Sequence, residues 1–177
     1  SQDLLKVSGT DLEVSISTTI PIHILKPGNV TVPAKKIYEI IRELSEGEIE
    51  ITVAKNNAVN IKSSKAYFKI MGLPKDDFPK LPEFKDEPSV IIKQSVLKNM
   101  IGMTHFSMSH DDTRYVLNGA LFLFKGKHLT IVTTDGKRLS LVKKDIEKDG
   151  LDKAIIIPSK TIYELNRILG DEGDVKI

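Results

Sequence analysis

The feature that most constrains this chain is that it repeats itself. Residues 32–44 and 157–169 share seven of thirteen positions at a fixed offset of 125, namely Pro33/Pro158, Lys35/Lys160, Ile37/Ile162, Tyr38/Tyr163, Glu39/Glu164, Arg42/Arg167 and Leu44/Leu169. Upstream of each copy, Leu5–Asp11 echoes Leu129–Asp135 at an offset of 124. Downstream, Gly47–Ile51 echoes Gly173–Ile177. Three blocks in one order at nearly one spacing mark a duplicated domain of about 125 residues. The first copy continues through residues 52–88, where the second stops at Ile177; residues 89–132 precede the second, and almost nothing precedes the first. The expectation is a piece of a longer chain, holding the back of one domain and the front of the next.

With 40% hydrophobic and 28% charged residues, the composition is that of an ordinary soluble globular protein. Cysteine is absent. That excludes disulfides and thiolate metal sites and fits a reducing cytoplasm. No apolar run approaches the ~20 residues of a membrane span. The net charge of +2, from 26 basic and 24 acidic residues, is too small for nucleic-acid binding by bulk charge. Any electrostatic partner must be met by local placement.

Residues 12–20 alternate, with Leu12, Val14, Ile16 and Ile20 on one face, which predicts a half-buried strand. Ile37, Ile40, Ile41 and Leu44 follow Pro33 at helical spacing and predict a helix over 34–44. Glu48–Ala54 and Ala58–Ser63 form a predicted hairpin around Asn56-Asn57, and Tyr67–Met71 a further strand. Four of the eight prolines fall in residues 74–88, which are therefore neither helix nor central strand and form the natural linker. Phe78, Leu81 and Phe84 suggest that it packs along a domain. The pattern then restarts: strand Val90–Ile92, a helix over 94–104, and strands Tyr115–Phe124, Leu129–Thr134 and Arg138–Lys143, joined by turns at Lys125-Gly126-Lys127 and Asp135-Gly136. A strand over 154–157 and a helix over 159–169 open another unit. The result is an α+β fold of repeated strand–helix–strand–strand–strand modules with antiparallel meanders.

Two histidines and two aspartates, His105, His110, Asp111 and Asp112, lie within eight residues and raise a metal-dependent enzyme as one alternative. Their spacing matches no helical zinc motif, and a polar loop after the helix is the plainer reading. Thr134-Asp135-Gly136-Lys137-Arg138 lacks the glycine spacing of a phosphate-binding loop and reads as a tight turn exposing two basic side chains. No G-x-S-x-G pattern appears. Lys35, Lys36 and Arg42 on the first helix, Lys98 on the second, and Lys160 and Arg167 on the third include pairs that recur at equivalent repeat positions. Such groups suit a surface for phosphates without sequence preference, diluted by Glu39 and Glu164. A scaffold that binds proteins without DNA is the other alternative.

R-Y-V-L-N-G-A-L-F at 114–122, T-D-G-K-R-L at 134–139, D-D-F-P-K-L at 76–81 and G-T-D-L-E at 9–13 resemble the bacterial DNA sliding clamps, the beta subunits of DNA polymerase III. The resemblance covers essentially the whole chain. It implies part of clamp domain one over residues 1–73, a linker over 74–88, and part of domain two over 89–177. It further implies three such domains per subunit and two subunits closing head to tail into a ring, helices lining the hole and sheets outside. Such a ring is a processivity factor without catalysis or cofactor of its own. It encircles duplex DNA and tethers the replicative polymerase, the clamp loader and repair proteins through short peptide motifs. Carried over by position, the DNA-facing residues are Lys35, Lys36, Arg42, Lys98, Lys160 and Arg167. The peptide pocket falls on Leu117, Thr134, Gly136, Lys137, Arg138 and Leu139. The subunit interface falls on Phe68, Ile70 and Lys65, with Lys36 serving either surface. Two positions depart from the family pattern: Lys137 stands where His is usual, and Asp111 where a polar, often amide-bearing residue is common.

Overall fold

The computed structural model describes residues 3–81, 88–111, 113–146 and 152–177. The chain divides into two compact units, Ser1–Glu83 and Phe84–Ile177.

In the first unit, strands β1 (Leu4–Thr10) and β2 (Ser15–Pro21) form an antiparallel hairpin in which Leu4 pairs with Pro21 and Thr10 with Ser15. Helix α1 (Ala34–Glu43) follows, then the antiparallel sheet β3 (Glu50–Val53), β4 (Ala58–Lys62), β5 (Tyr67–Met71), in that order. Proline fixes the entry to α1: Pro33 holds the N-cap position without a side-chain cap. The exit is an extended Leu44, followed by Gly47 at φ 145°. The core is small. Val59, Ile61 and Ile70 are buried, and Ile37, Ile40, Leu44 and Phe68 pack on them. The predicted hairpin at Asn56-Asn57 is present, with Asn57 in the left-handed region at φ 60°.

Two expectations change here. Leu12 and Val14 belong to a turn rather than to β2, and Leu12 sits at φ 78° and 80% exposed. Nor is β2 half-buried: every one of its residues is exposed, and no hairpin residue joins a buried cluster. The alternation in Ser15–Pro21 is real, but nothing among the described residues covers its apolar face.

The second unit begins with β6 (Ile91–Lys93) and helix α2 (Gln94–Gly102), and a single 3-10 turn spans His105–Ser107. Strands β7 (Gly119–Lys125), β8 (His128–Thr134), β9 (Leu139–Asp145) and β10 (Lys153–Pro158) form one antiparallel sheet in the order β10-β7-β8-β9. Helix α3 (Ser159–Ile168) and β11 (Asp174–Lys176) end the chain, with β11 paired to β6. Alternate residues of the sheet face the helices: Ala120, Phe122 and Phe124 from β7, and Leu129 and Ile131 from β8. They meet Leu97, Met100 and Ile101 of α2 and Ile162 of α3 in one buried cluster. Residues Tyr115–Asn118, expected as the start of a strand, form a turn, closed by Leu117 and Asn118 N–H groups donating to the Arg114 carbonyl at 2.8 and 2.9 Å. The strand follows at Gly119, where only glycine fits: an added Cβ would stand 2.6 Å from the Ile157 carbonyl oxygen of β10.

The repeat is structural. Helices α1 and α3 span equivalent residues at an offset of 125, and β1 and β8, like β2 and β9, at an offset of 124. In the proline-rich stretch, Lys75–Asp77 forms one 3-10 turn where no helix was expected. Phe78 and Leu81 are half-buried, while Phe84 and the rest of residues 82–87 lie outside the described residues.

Candidate peptide and nucleic-acid interfaces

The turn between β8 and β9 is organised by Asp135. Its Oδ1 accepts the N–H groups of Lys137 and Arg138 at 2.9 and 3.0 Å, and its Oδ2 accepts Arg138 Nε at 3.0 Å. The two backbone donors first, then the Arg138 guanidinium, hold this carboxyl below the ordinary aspartate value of 3.8. Thr134 Oγ1 donates to the Arg138 carbonyl at 2.6 Å and accepts the Gly136 N–H at 3.0 Å. Gly136 occupies φ 87°, which a side chain adopts only with strain. Arg138 is thus partly neutralised inside the turn, and Leu139 is left 62% exposed at the head of β9.

Antiparallel order puts the start of β7, the end of β8 and the start of β9 at one end of the sheet. Two hydrogen bonds fix the preceding loop there. Ser107 and Ser140 share a hydroxyl pair at 2.7 Å, and Ser109 N–H donates to the Leu117 carbonyl at 3.0 Å. Leu117 is half-buried; Tyr115 and Val116 beside it, and Leu141 two residues beyond Leu139, are exposed. The sequence-derived set Leu117, Thr134, Gly136, Lys137, Arg138 and Leu139 therefore belongs to one end of one sheet. Reading the sequence for pocket walls overlooked Asp135 and Ser107. An Asp two and three residues before the backbone donors it caps was the available signal for the first; nothing signalled the second.

Three of the basic helix residues pair with acids. Arg42 pairs with Glu43 at 3.0 Å and lies 5.6 Å over the Tyr38 ring. Arg167 pairs with Glu164 at 2.6 Å, and Lys98 with Asp171 at 3.2 Å. Lys35, Lys36 and Lys160 are exposed. The acid on Arg42 is the neighbouring Glu43, so the dilution expected from Glu39 comes from a different residue in α1.

Phe68 and Ile70 lie on β5, whose only strand partner among the described residues is β4. Their side chains serve the first unit's own core, Ile70 at 8% exposure. What β5 offers outward is a free backbone edge flanked by exposed Tyr67, Lys69 and Met71, with exposed Lys65 in the preceding turn.

Around the histidine-aspartate run, the His105 ring nitrogen Nδ1 lies 3.0 Å from the Ile101 carbonyl, and the ring packs edge-on against Tyr163 of α3. Asp111 accepts the Thr113 hydroxyl at 2.6 Å and its N–H at 3.0 Å and pairs with Arg114 at 3.4 Å, so its carboxyl is held low, chiefly by that hydroxyl. His110 is exposed, and Asp112 lies outside the described residues. Among the described residues, no three His, Asp or Glu side chains converge as a metal site would require.

Comparison with known proteins bears on these surfaces. The profile described as DNA polymerase III beta subunit, N-terminal domain, matches residues 1–82, and that of its central domain matches residues 91–177. The beta sliding clamp of Escherichia coli strain K12 is 36% identical over 171 residues, 96% of this chain and 46% of the relative. That of Salmonella typhimurium strain LT2 is 35% identical over 177 residues, 98% of this chain and 48% of the relative. Among solved structures, the DNA polymerase sliding clamp of Bacillus subtilis superposes with a TM-score of 0.92 at 31% identity, over 100% of this chain and 49% of that one. A sliding clamp from Pseudomonas aeruginosa bound to griselimycin gives 0.91 at 35% identity, over 98% and 48%. The chain spans about half the length of the curated relatives it matches.

Proposed function

This chain belongs to the family of DNA polymerase III beta subunits, and from that membership we propose that it is part of a processivity clamp for DNA replication. The full-length protein closes as a homodimeric ring around duplex DNA in the cytoplasm and has no catalysis of its own. It acts as an accessory subunit of the replicative polymerase. Residues 1–73 are the back of clamp domain one, 74–88 the linker, and 89–177 the front of domain two.

The observation that carries this proposal is the recurrence of basic groups on equivalent helices. Lys35 and Lys160, like Arg42 and Arg167, occupy the same position of α1 and α3. Together with Lys36 and Lys98 they supply phosphate contacts to the DNA-facing side. The ion pairs on Arg42, Arg167 and Lys98 keep that grip weak, as a sliding contact requires. Polymerase, clamp loader and repair proteins dock by short peptide motifs at Leu117, Thr134, Gly136, Lys137, Arg138 and Leu139. The free edge of β5, with Phe68, Ile70 and Lys65, meets the other subunit.

A salt titration tests the DNA surface. Duplex binding followed by fluorescence anisotropy should weaken steeply with salt, by about 0.9 in logarithmic slope per engaged phosphate. The Lys35→Ala/Lys36→Ala double variant should lower that slope by about 2 for duplexes of any sequence. An unchanged slope removes α1 from the DNA surface. For the pocket, Leu139→Ala should weaken a clamp-binding peptide about tenfold or more, as expected for truncating a central apolar anchor; unchanged affinity removes it.

A further inference from the structure

The turn that carries the peptide pocket occurs twice in this chain. At an offset of 124, Thr10, Asp11, Leu12, Glu13 and Val14 stand where Thr134, Asp135, Gly136, Lys137 and Arg138 stand. The hydrogen bonds coincide. Asp11 Oδ1 accepts the N–H groups of Glu13 and Val14 at 3.1 and 2.9 Å, as Asp135 Oδ1 does those of Lys137 and Arg138 at 2.9 and 3.0 Å. Thr10 Oγ1 donates to the Val14 carbonyl at 3.1 Å and accepts the Leu12 N–H at 3.0 Å, repeating the role of Thr134. Leu12 at φ 78° matches Gly136 at φ 87°. One backbone thus carries two different sets of side chains, and the copy with Glu13 proves that the turn does not need a cation at its fourth position. The charge of Lys137 is free to serve something else.

The surroundings of Lys137 narrow what that is. Its backbone N–H is taken by Asp135, but its side chain is exposed and has no partner among the described residues. The neighbouring cations are engaged: Arg138 by Asp135 at 3.0 Å and Arg114 by Asp111 at 3.4 Å. Lys137 is therefore an uncompensated charge two residues before the exposed Leu139, at the turn end of the row Leu139, Leu141.

We infer that Lys137 makes this pocket selective for acidic peptides, those that place an Asp or Glu carboxylate next to the apolar residue seated against Leu139. This rests on the peptide-docking role proposed above. The partner is a peptide rather than a nucleic acid because the cation borders an apolar row, which a phosphate backbone leaves unused. An exposed ion pair of this kind corresponds to about a two- to fivefold preference at low salt, and added salt screens it.

The test uses the full-length protein and two clamp-binding peptides identical except for Asp or Asn beside the apolar anchor, measured by calorimetry at low and high salt. The native protein should prefer the Asp peptide two- to fivefold at low salt, and the preference should shrink with salt. Lys137→Gln should erase it, Lys137→Arg should keep it, and Lys137→Glu, which the Glu13 copy shows the turn accommodates, should reverse it. Lys127→Gln, with the same charge change on the β7–β8 turn at the other end of the sheet, should leave it intact. No preference in the native protein, or one that survives Lys137→Glu, overturns the inference while docking itself stands. If neither peptide binds, or if Leu139→Ala changes nothing, the docking site itself is wrong and the selectivity falls with it.

Discussion

Thr133→Val is a sharp test of how the second unit holds the end of its sheet at the β8–β9 turn. Thr133 is 1% exposed on β8, and its hydroxyl donates to the carbonyl of Thr104 at 2.6 Å. Thr104, also 1% exposed, turns its own hydroxyl back to the Met100 carbonyl at 2.9 Å. The two hydroxyls thus serve two separate carbonyls at and just past the end of α2, and that of Thr133 ties this end to β8. Valine has the same shape, so the substitution removes the bond without leaving a cavity. The Thr104 carbonyl keeps the Ser107 N–H at 3.0 Å, so the cost is that of one lost hydrogen bond, about 0.5–1.5 kcal/mol, part of which returns by burying a methyl group in place of the hydroxyl. A net loss of at most about 1 kcal/mol is expected, or roughly fivefold in the unfolding equilibrium. Hydrogen exchange read by mass spectrometry is the suitable assay, because two compact units need not unfold together. Amides of β7 and β8 should exchange up to about fivefold faster in the variant, while those of β4 and β5 stay as they were. Thr133→Ser keeps the hydroxyl and loses a methyl, so it serves as the control. If valine is neutral and serine is costly, the site depends on methyl packing and the Thr133 hydrogen bond carries no energy.

Gly119→Ala should destabilise the second unit by several kcal/mol or prevent its folding, since the Cβ would meet backbone at 2.6 Å; a variant melting within a degree or two of the native protein would contradict the close approach of β7 and β10. Glu164→Gln should release Arg167 from its 2.6 Å partner and tighten duplex DNA binding two- to fivefold at low salt; no gain would mean that α3 does not face DNA. Because the folded Asp135 carboxyl is held below 3.8, its contribution to the turn is complete above that value and is lost as pH falls through the lowered one. The Lys137 and Arg138 amide resonances should therefore shift with a midpoint below 3.8, and a midpoint at or above it would deny the hydrogen bonds to Asp135.

Much of this architecture is legible in the residues, and the exceptions share a cause. Spacing alone places Tyr67–Met71 and the two repeat helices correctly, because local periodicity and a proline at each helix entry decide them. Tyr115–Asn118 looks like strand because it runs straight into Gly119–Lys125 with aromatic and branched side chains. What ends the strand is Arg114, whose carbonyl collects two N–H groups, and that is a three-dimensional fact. Leu12 belongs by pattern to β2, yet Thr10 and Asp11 capture the backbone first and force it into a turn. The β8–β9 turn was visible as Thr-Asp-Gly, whereas the Ser107–Ser140 bond that brings the other loop beside it joins residues 33 apart and left no trace in the sequence.

A ring that encircles DNA differs from any other DNA-binding protein in being held by topology rather than by contacts. The most direct measurement loads the full-length protein onto nicked circular duplex, raises the salt until direct phosphate contacts are screened, and follows its retention before and after the circle is cut open. A clamp stays on the circle and is lost from the linear ends. Equal retention on circular and linear DNA, or release from both as salt rises, would mean that the helices of this chain do not line a closed ring.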